Sequence, residues 1–172
     1  MSLLQDPLTG LPNRALFNDR LERGLVQAQQ HGWRLALMFV DLDDFKTIND
    51  TFGHGAGDSV LQTMGERLKA NTRDGDTVSR YGGDEFLYLL MQIRDEQDIS
   101  LIAEKVIKSI QMPCNVNVGD VVFTPKITAS VGISIFPSDG TTAETLLKSA
   151  ENAMNYAKRN NTGCSFFNRI AL

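Results

Sequence analysis

The chain is poor in the residues that staple or anchor a protein. Its 172 residues include only two cysteines, Cys114 and Cys164, far apart. That excludes a disulfide scaffold and any zinc-type spacing, and two free thiols are expected. Two isolated histidines offer no metal-binding pair: His54, between glycines, reads as a loop residue and His31 as a helix terminus. No apolar run approaches the roughly 20 residues that a membrane helix requires. The first residues lack the basic region and apolar stretch of a signal peptide. Positive charge is short as well, with 17 Lys and Arg against 21 Asp and Glu, for a net charge of −4. This argues against a broad nucleic-acid-binding or membrane-binding surface. An anionic ligand would have to be met by a local basic or metal-bearing site. No internal repeat, Walker motif or dinucleotide fingerprint is present.

What is present suits one domain over residues 1–172 with a substantial core, being 42% hydrophobic and 22% charged. Leu16, Phe17, Leu21, Leu25 and Ala28 recur at helical spacing, predicting a helix over 12–30 with Pro12 in its first turn and His31-Gly32 at its end. Leu35 to Val40 is a continuous apolar run, the pattern of a strand buried on both faces. A helical turn is expected over 43–52, then a side-chain-poor loop from Gly53 to Gly57. A helix carrying Val60, Leu61, Met64 and Leu68 follows. Hairpin strands are predicted over 77–81 and 84–91, and an amphipathic helix from Ile99 to Ile110. A short edge hairpin is expected around Gly119-Asp120. From Ile127 to Ile135 apolar residues alternate strictly, as in a strand. Thr141 and Glu144 read as a capping box for a last helix bearing Leu146, Ala150, Met154 and Ala157. Ser165 to Phe167 would form a final strand, and Trp33 would pack at a strand start. Several connections are too short for parallel crossovers, so the fold is α+β, a partly antiparallel sheet covered by helices.

Two acidic stretches stand out. In Arg80-Tyr81-Gly82-Gly83-Asp84-Glu85-Phe86, a Gly-Gly pair between strand-like runs predicts a tight hairpin turn with positive φ. Adjacent carboxylates at a hairpin tip repel each other. They fit either a solvated acidic turn or a site for a cation. The buried strand likewise ends in Asp41-Leu42-Asp43-Asp44. Carboxylates from both places would make a hard-oxygen site suited to magnesium and phosphates.

Gly82-Gly83-Asp84-Glu85-Phe86 spells the signature of the GGDEF domains, the bacterial diguanylate cyclases. Asp6-Pro7-Leu8-Thr9-Gly10-Leu11-Pro12-Asn13-Arg14 resembles that family's N-terminal motif. Phe39 to Phe45, with Lys46, Asn49, Gly53, His54, Gly57 and Asp58, resembles its first-strand and nucleotide-loop pattern, and Ala157-Lys158 its last-helix motif. The resemblance covers about residues 6–168. It implies a ferredoxin-like βαββαβ palm with a mostly antiparallel central sheet. It implies condensation of two GTP into cyclic di-GMP by a homodimer, in a cytoplasmic domain attached to regulatory domains of a parent protein that is free to be membrane-anchored.

The resemblance also implies roles. Asp41, Asp84 and the Leu42 carbonyl would hold Mg2+ or Mn2+, and Glu85 would be a further ligand or the base for the 3′-hydroxyl. Asn49 and Asp58 would read guanine. Lys46 and Lys158 would meet phosphates, and Phe45 and Gly83 would complete the substrate site. Arg73 and Asp76, with five residues between Asp76 and Gly82, match the family's inhibitory product site. One departure is visible. Where the family usually has Gly and Arg after the last-helix motif, this chain has Asn161 and Thr162. Asn161 can adopt the left-handed conformation, but Thr162 brings no charge. A non-catalytic module that binds GTP or cyclic di-GMP is the alternative.

Overall fold

The computed structural model describes residues 3–170. Met1, Ser2, Ala171 and Leu172, the ends of the expected domain, lie outside the described residues. The elements in order are α1 (Arg14–His31), β1 (Arg34–Leu42), α2 (Phe45–Phe52), α3 (His54–Ala70), β2 (Thr77–Arg80) and β3 (Glu85–Ile93). There follow α4 (Glu96–Gln111), β4 (Val116–Val118), β5 (Val121–Phe123), β6 (Ala129–Phe136), α5 (Ala143–Asn160) and β7 (Cys164–Phe166), with a final 3-10 turn from Phe167 to Arg169.

The main sheet has the order β2-β3-β1-β6-β7. β1 pairs antiparallel with β3 and β6, and only the β6–β7 pair is parallel. Without β7, the order 2-3-1-4 with helices after the first and third strands is the ferredoxin-like arrangement expected. β4 and β5 form a separate ribbon rather than a sheet edge.

β1 is central because both its faces are apolar. Ala36, Met38, Val40 and Leu42 join the core beneath α3 and α4. Leu35, Leu37 and Phe39 join the core beneath α1 and α5. Alternation therefore assigns Asp41, the next odd residue, to the α1/α5 face. Each fully buried Leu or Phe contributes about 1.5–3 kcal/mol relative to exposure, so this register is strongly fixed. A one-residue slip would turn every side chain to the wrong core.

Several boundaries differ from expectation. Asn13, not Pro12, opens α1: its side chain accepts from the Leu16 N–H, and Pro12 sits in a bridge to Gln5. The Gly-rich stretch after Gly53 is already the first turn of α3, so the expected loop shrinks to Gly53 alone. The α5 capping box is Thr142 with Thr145, because reciprocal hydroxyl bonds replace the expected carboxylate. The alternating strand begins at Ala129, and all of its residues are buried. Its polar positions are small and satisfied: the Ser134 hydroxyl donates to the Leu146 carbonyl at 2.8 Å. At Gly132 a Cβ would collide with the α5 backbone at Ala150 and Met154, so only glycine lets α5 lie this close. Phe167 leaves the last strand for the 3-10 turn, and β7 gains Cys164 instead.

Candidate active site

The sheet brings the two acidic stretches together. Asp41 stands opposite Glu85 in the β1–β3 register, and the Leu42 N–H donates to the Asp84 carbonyl at 3.1 Å. Asp41, Asp84 and Glu85 thus share one end of the two central strands, as expected from sequence.

The hairpin tip is not the tight turn expected. Neither Gly82 nor Gly83 has a positive φ. The loop is instead closed by the Tyr81 and Gly82 N–H groups, which both donate to the Glu85 carbonyl. The Glu85 carboxylate packs against Gly82, where a Cβ would meet Oε1 and make that side chain shift. The Gly83 carbonyl accepts from Arg80 Nε at 3.1 Å and Nη2 at 2.9 Å.

Arg80 also reaches Asp6, with Nη1 3.2 Å from Oδ1. Asp6 in turn accepts from the Thr9 N–H at 2.8 Å and hydroxyl at 2.7 Å. Burial raises the Asp6 pKa, but the Thr9 bonds and the Arg80 charge outweigh it, and the net shift is downward. Arg14 covers the other side: its Nε donates to the Tyr81 carbonyl, and its guanidinium lies 4.2 Å from the Tyr81 ring centroid. Sequence reasoning missed both arginines. The i, i+3 pair Asp6/Thr9 was the available signal of a side-chain-closed turn, but nothing local identified Arg80 as its partner.

Asp41 is electrostatically unusual. Its side chain is 14% exposed, and Lys158 Nζ lies 2.9 Å from Oδ2. Oδ1 is buried without a hydrogen-bond partner, the one such side-chain atom among the described residues. Burial pushes the carboxyl up, the Lys158 bond pulls it down, and the Asp84 charge pushes it up again, leaving it at about 6. Glu85 is also raised, by burial first and then by Asp84 and Glu151. For Lys158, burial pulls the ammonium down, but Asp41, with Asp43 and Asp84, outweighs it and holds the pKa above its ordinary value.

Among the described residues no three His, Cys, Asp or Glu side chains converge as a ready metal cage. The donor set nevertheless fits a divalent cation shared with phosphates. Such an ion typically takes one or two carboxylates and leaves the rest of its shell to water and substrate. An unsatisfied buried carboxylate oxygen beside a second carboxylate is where that charge would be balanced.

The expected nucleotide residues flank this end. Asn49, on α2, packs against the first turn of α3, since a Cβ at Gly57 would strike its Oδ1 and would lie 3.1 Å from the Phe45 ring. Phe45, Asn49 and Gly57 are therefore one cluster. Lys46 and Asp58 are exposed, on α2 and α3 respectively. Asn161 is left-handed, with φ 54°, and ends α5 directly after the turn bearing Lys158. Thr162 turns to the Ser165 hydroxyl at 3.0 Å. Asp43 accepts from the hydroxyls of Thr128 and Ser130, each at 2.8 Å.

Arg73 and Asp76 lie elsewhere, beside a cavity of about 390 Å³ that Gln27, Trp33 and Met91 also line. Asp76 is 2% exposed, with Oδ2 2.5 Å from Arg73 Nε and Oδ1 accepting the Met91 N–H at 2.8 Å. Arg73 also donates to the Met91 carbonyl at 3.1 Å. Trp33 stacks on His31, with centroids 4.4 Å apart, and borders this cavity. It does more than pack at a strand start.

A palm-like sheet with paired carboxylates at one end of its central strands defines a nucleotide-cyclase class of fold. The chain belongs to the GGDEF family: the sequence profile described as diguanylate cyclase, GGDEF domain, matches residues 3–164. It is 44% identical over 165 residues to the bifunctional diguanylate cyclase/cyclic di-GMP phosphodiesterase MucR of Pseudomonas aeruginosa, covering 95% of this chain and 23% of that protein. It is 42% identical over 158 residues to the diguanylate cyclase TpbB of the same species, covering 92% of this chain and 36% of that protein. The chain thus spans about a quarter to a third of these relatives. Among solved structures, one comprising only the GGDEF domain of TpbB superposes with a TM-score of 0.88 at 40% identity, covering 94% of this chain and 93% of that one.

Proposed function

We propose that this domain is a diguanylate cyclase that joins two GTP molecules into cyclic di-GMP. The observation that carries the reading is the Asp41–Asp84–Glu85 end of the sheet, with its unsatisfied Asp41 oxygen. In each of two steps, a 3′-oxygen of one GTP bonds to the α-phosphorus of the other. The bond from that phosphorus to the bridging oxygen breaks, and pyrophosphate leaves with the electron pair. Bound Mg2+ or Mn2+ would neutralise phosphate charge and make the 3′-hydroxyl more acidic.

The residues supply the rest by alignment. Asp41 and Asp84, with the Leu42 carbonyl, would hold the cation. Glu85, raised by burial and by its acidic neighbours, would complete that shell or take up the hydroxyl proton. Asn49 and Asp58 would accept and donate at the guanine edge, with Phe45 and Gly83 shaping the pocket. Lys46 and Lys158 would meet the phosphates. One chain presents one such acidic site, so the reaction requires two chains facing each other about a twofold axis. Arg73 and Asp76 would bind cyclic di-GMP as an inhibitor, the guanidinium meeting phosphate and the carboxylate accepting from guanine N–H groups. GTP as substrate places the domain in the cytoplasm, with regulatory domains of a parent protein as its partners.

The test is incubation of the purified chain with GTP and Mg2+ at several protein concentrations, with chromatography for cyclic di-GMP. The expected result is product that rises more than linearly with protein and disappears in Asp84→Ala. Absence of product, even from chains fused to a dimerising partner, contradicts the reading.

A further inference from the structure

We propose that Lys158 is a built-in competitor for the divalent cation at Asp41, so that metal binds weakly until the nucleotide draws the lysine away. This rests on the cation site proposed above and deepens it. The geometry is specific. Lys158 Nζ lies 2.9 Å from Asp41 Oδ2, and the partner Oδ1 is buried and unsatisfied. The ammonium therefore compensates one oxygen of the carboxylate and leaves the other without a donor. A cation arriving at Oδ1 meets a carboxylate whose charge Lys158 already shares, and the two positive charges repel across one side chain.

The anchoring of Lys158 supports an exchange. It sits in the last turn of α5, which ends one turn later at the left-handed Asn161. Its side chain is 41% exposed, whereas Asp41 is 14% exposed. The lysine can swing out on its flexible stem, while the aspartate is fixed by strand register. Triphosphate anions offer the ammonium a stronger partner than one shared carboxylate. Once Lys158 turns to them, Asp41 is free to give its full charge to the cation. Metal and nucleotide then strengthen each other's binding by the same factor.

The competition has an effect of unusual sign. Replacing a lysine that only props up the site would weaken metal binding. Replacing a competing lysine strengthens it. We expect Lys158→Met to bind Mn2+ about fivefold more tightly than the wild type in the absence of nucleotide. That factor corresponds to about 1 kcal/mol, the upper range for a partly exposed ion pair. The measurement is free Mn2+ counted by electron paramagnetic resonance during titration of wild type, Lys158→Met, Lys158→Gln and Asp41→Asn, without nucleotide. The proposal requires tighter binding in both Lys158 variants and loss of binding in Asp41→Asn. Equal, weaker or undetectable binding in the folded Lys158 variants, with Asp41→Asn still losing the ion, overturns the competition while leaving the cation site in place. Unchanged binding in Asp41→Asn overturns the cation site itself, and the competition with it.

Discussion

Asp41 and Asp76 are both largely buried carboxylates beside a basic side chain, yet they are finished differently. Asp76 has one oxygen on Arg73 and the other on the Met91 N–H. Asp41 has one oxygen on Lys158 and the other buried with no donor, close to the Asp84 carboxylate. A satisfied carboxylate is part of the scaffold. It fixes the Arg73 guanidinium at the rim of a cavity. An unsatisfied one, pushed up to about 6 by burial and by Asp84, is held in a state that a cation would relieve. The same residue type thus serves as a brace in one place and as an acceptor in the other.

The largest expected effect is on chemistry. Asp84→Ala removes a carboxylate that would hold the cation, and with it the cation's neutralisation of the transferring phosphate, a contribution of several kcal/mol. Turnover should fall about a thousandfold or more with an unchanged circular dichroism spectrum. Next, urea unfolding should separate the two carboxylates. Asp76→Ala strips partners from a part-buried N–H and a half-exposed guanidinium and should cost about 1–2 kcal/mol. Asp41→Asn relieves an unsatisfied buried charge and should cost less than about 1 kcal/mol. Equal losses would erase the distinction drawn between them.

Arg73→Ala should weaken cyclic di-GMP binding by about tenfold to a hundredfold, the range for charge-assisted hydrogen bonds. Trp33, the only tryptophan and a wall of that cavity, should report binding by its fluorescence. A titration that leaves the emission unchanged would remove the ligand from this cavity.

The smallest effect is on pH dependence. The folded pKa of Asp41 lies above its unfolded value, so its stabilising contribution is fully present below about 4. That contribution is lost as pH rises through about 6. Without metal, the thermal midpoint of the wild type should therefore fall relative to that of Asp41→Asn between these pH values. A parallel pair of curves would show that Asp41 is not strained.

The sequence made the central strand legible because its apolar run had only one explanation, burial on both faces. The acidic ends were legible because strand length alone carries Asp41 to the tip of the hairpin. The carboxylate pairing follows from these, whereas the palm topology was implied only by the resemblance to the GGDEF family. What local patterns could not show were long-range side-chain partners. Arg80 reads as a strand end, and nothing near it points to Asp6, 74 residues away. The two glycines read as a positive-φ turn, whereas the loop is closed by the Glu85 carbonyl with neither glycine at positive φ. Pro12 misled because the Asn13 side chain reaches the free N–H groups of α1, and the Gly53–Gly57 stretch misled because α3 starts there without any side-chain cap. The bonds of Asp76 to Arg73 and to the Met91 N–H are likewise visible only in the fold.

The central claim is that the end of the sheet at Asp41 and Asp84 is a divalent-cation site for a nucleotide. The most direct measurement is anomalous diffraction from crystals grown with Mn2+ and a non-hydrolysable GTP analogue. The account predicts a manganese peak within coordination distance of Asp41 Oδ1 and an Asp84 carboxylate oxygen, with Lys158 turned from Asp41 to the phosphates. Nucleotide bound with no manganese at Asp41, and Lys158 still on its carboxylate, would contradict it.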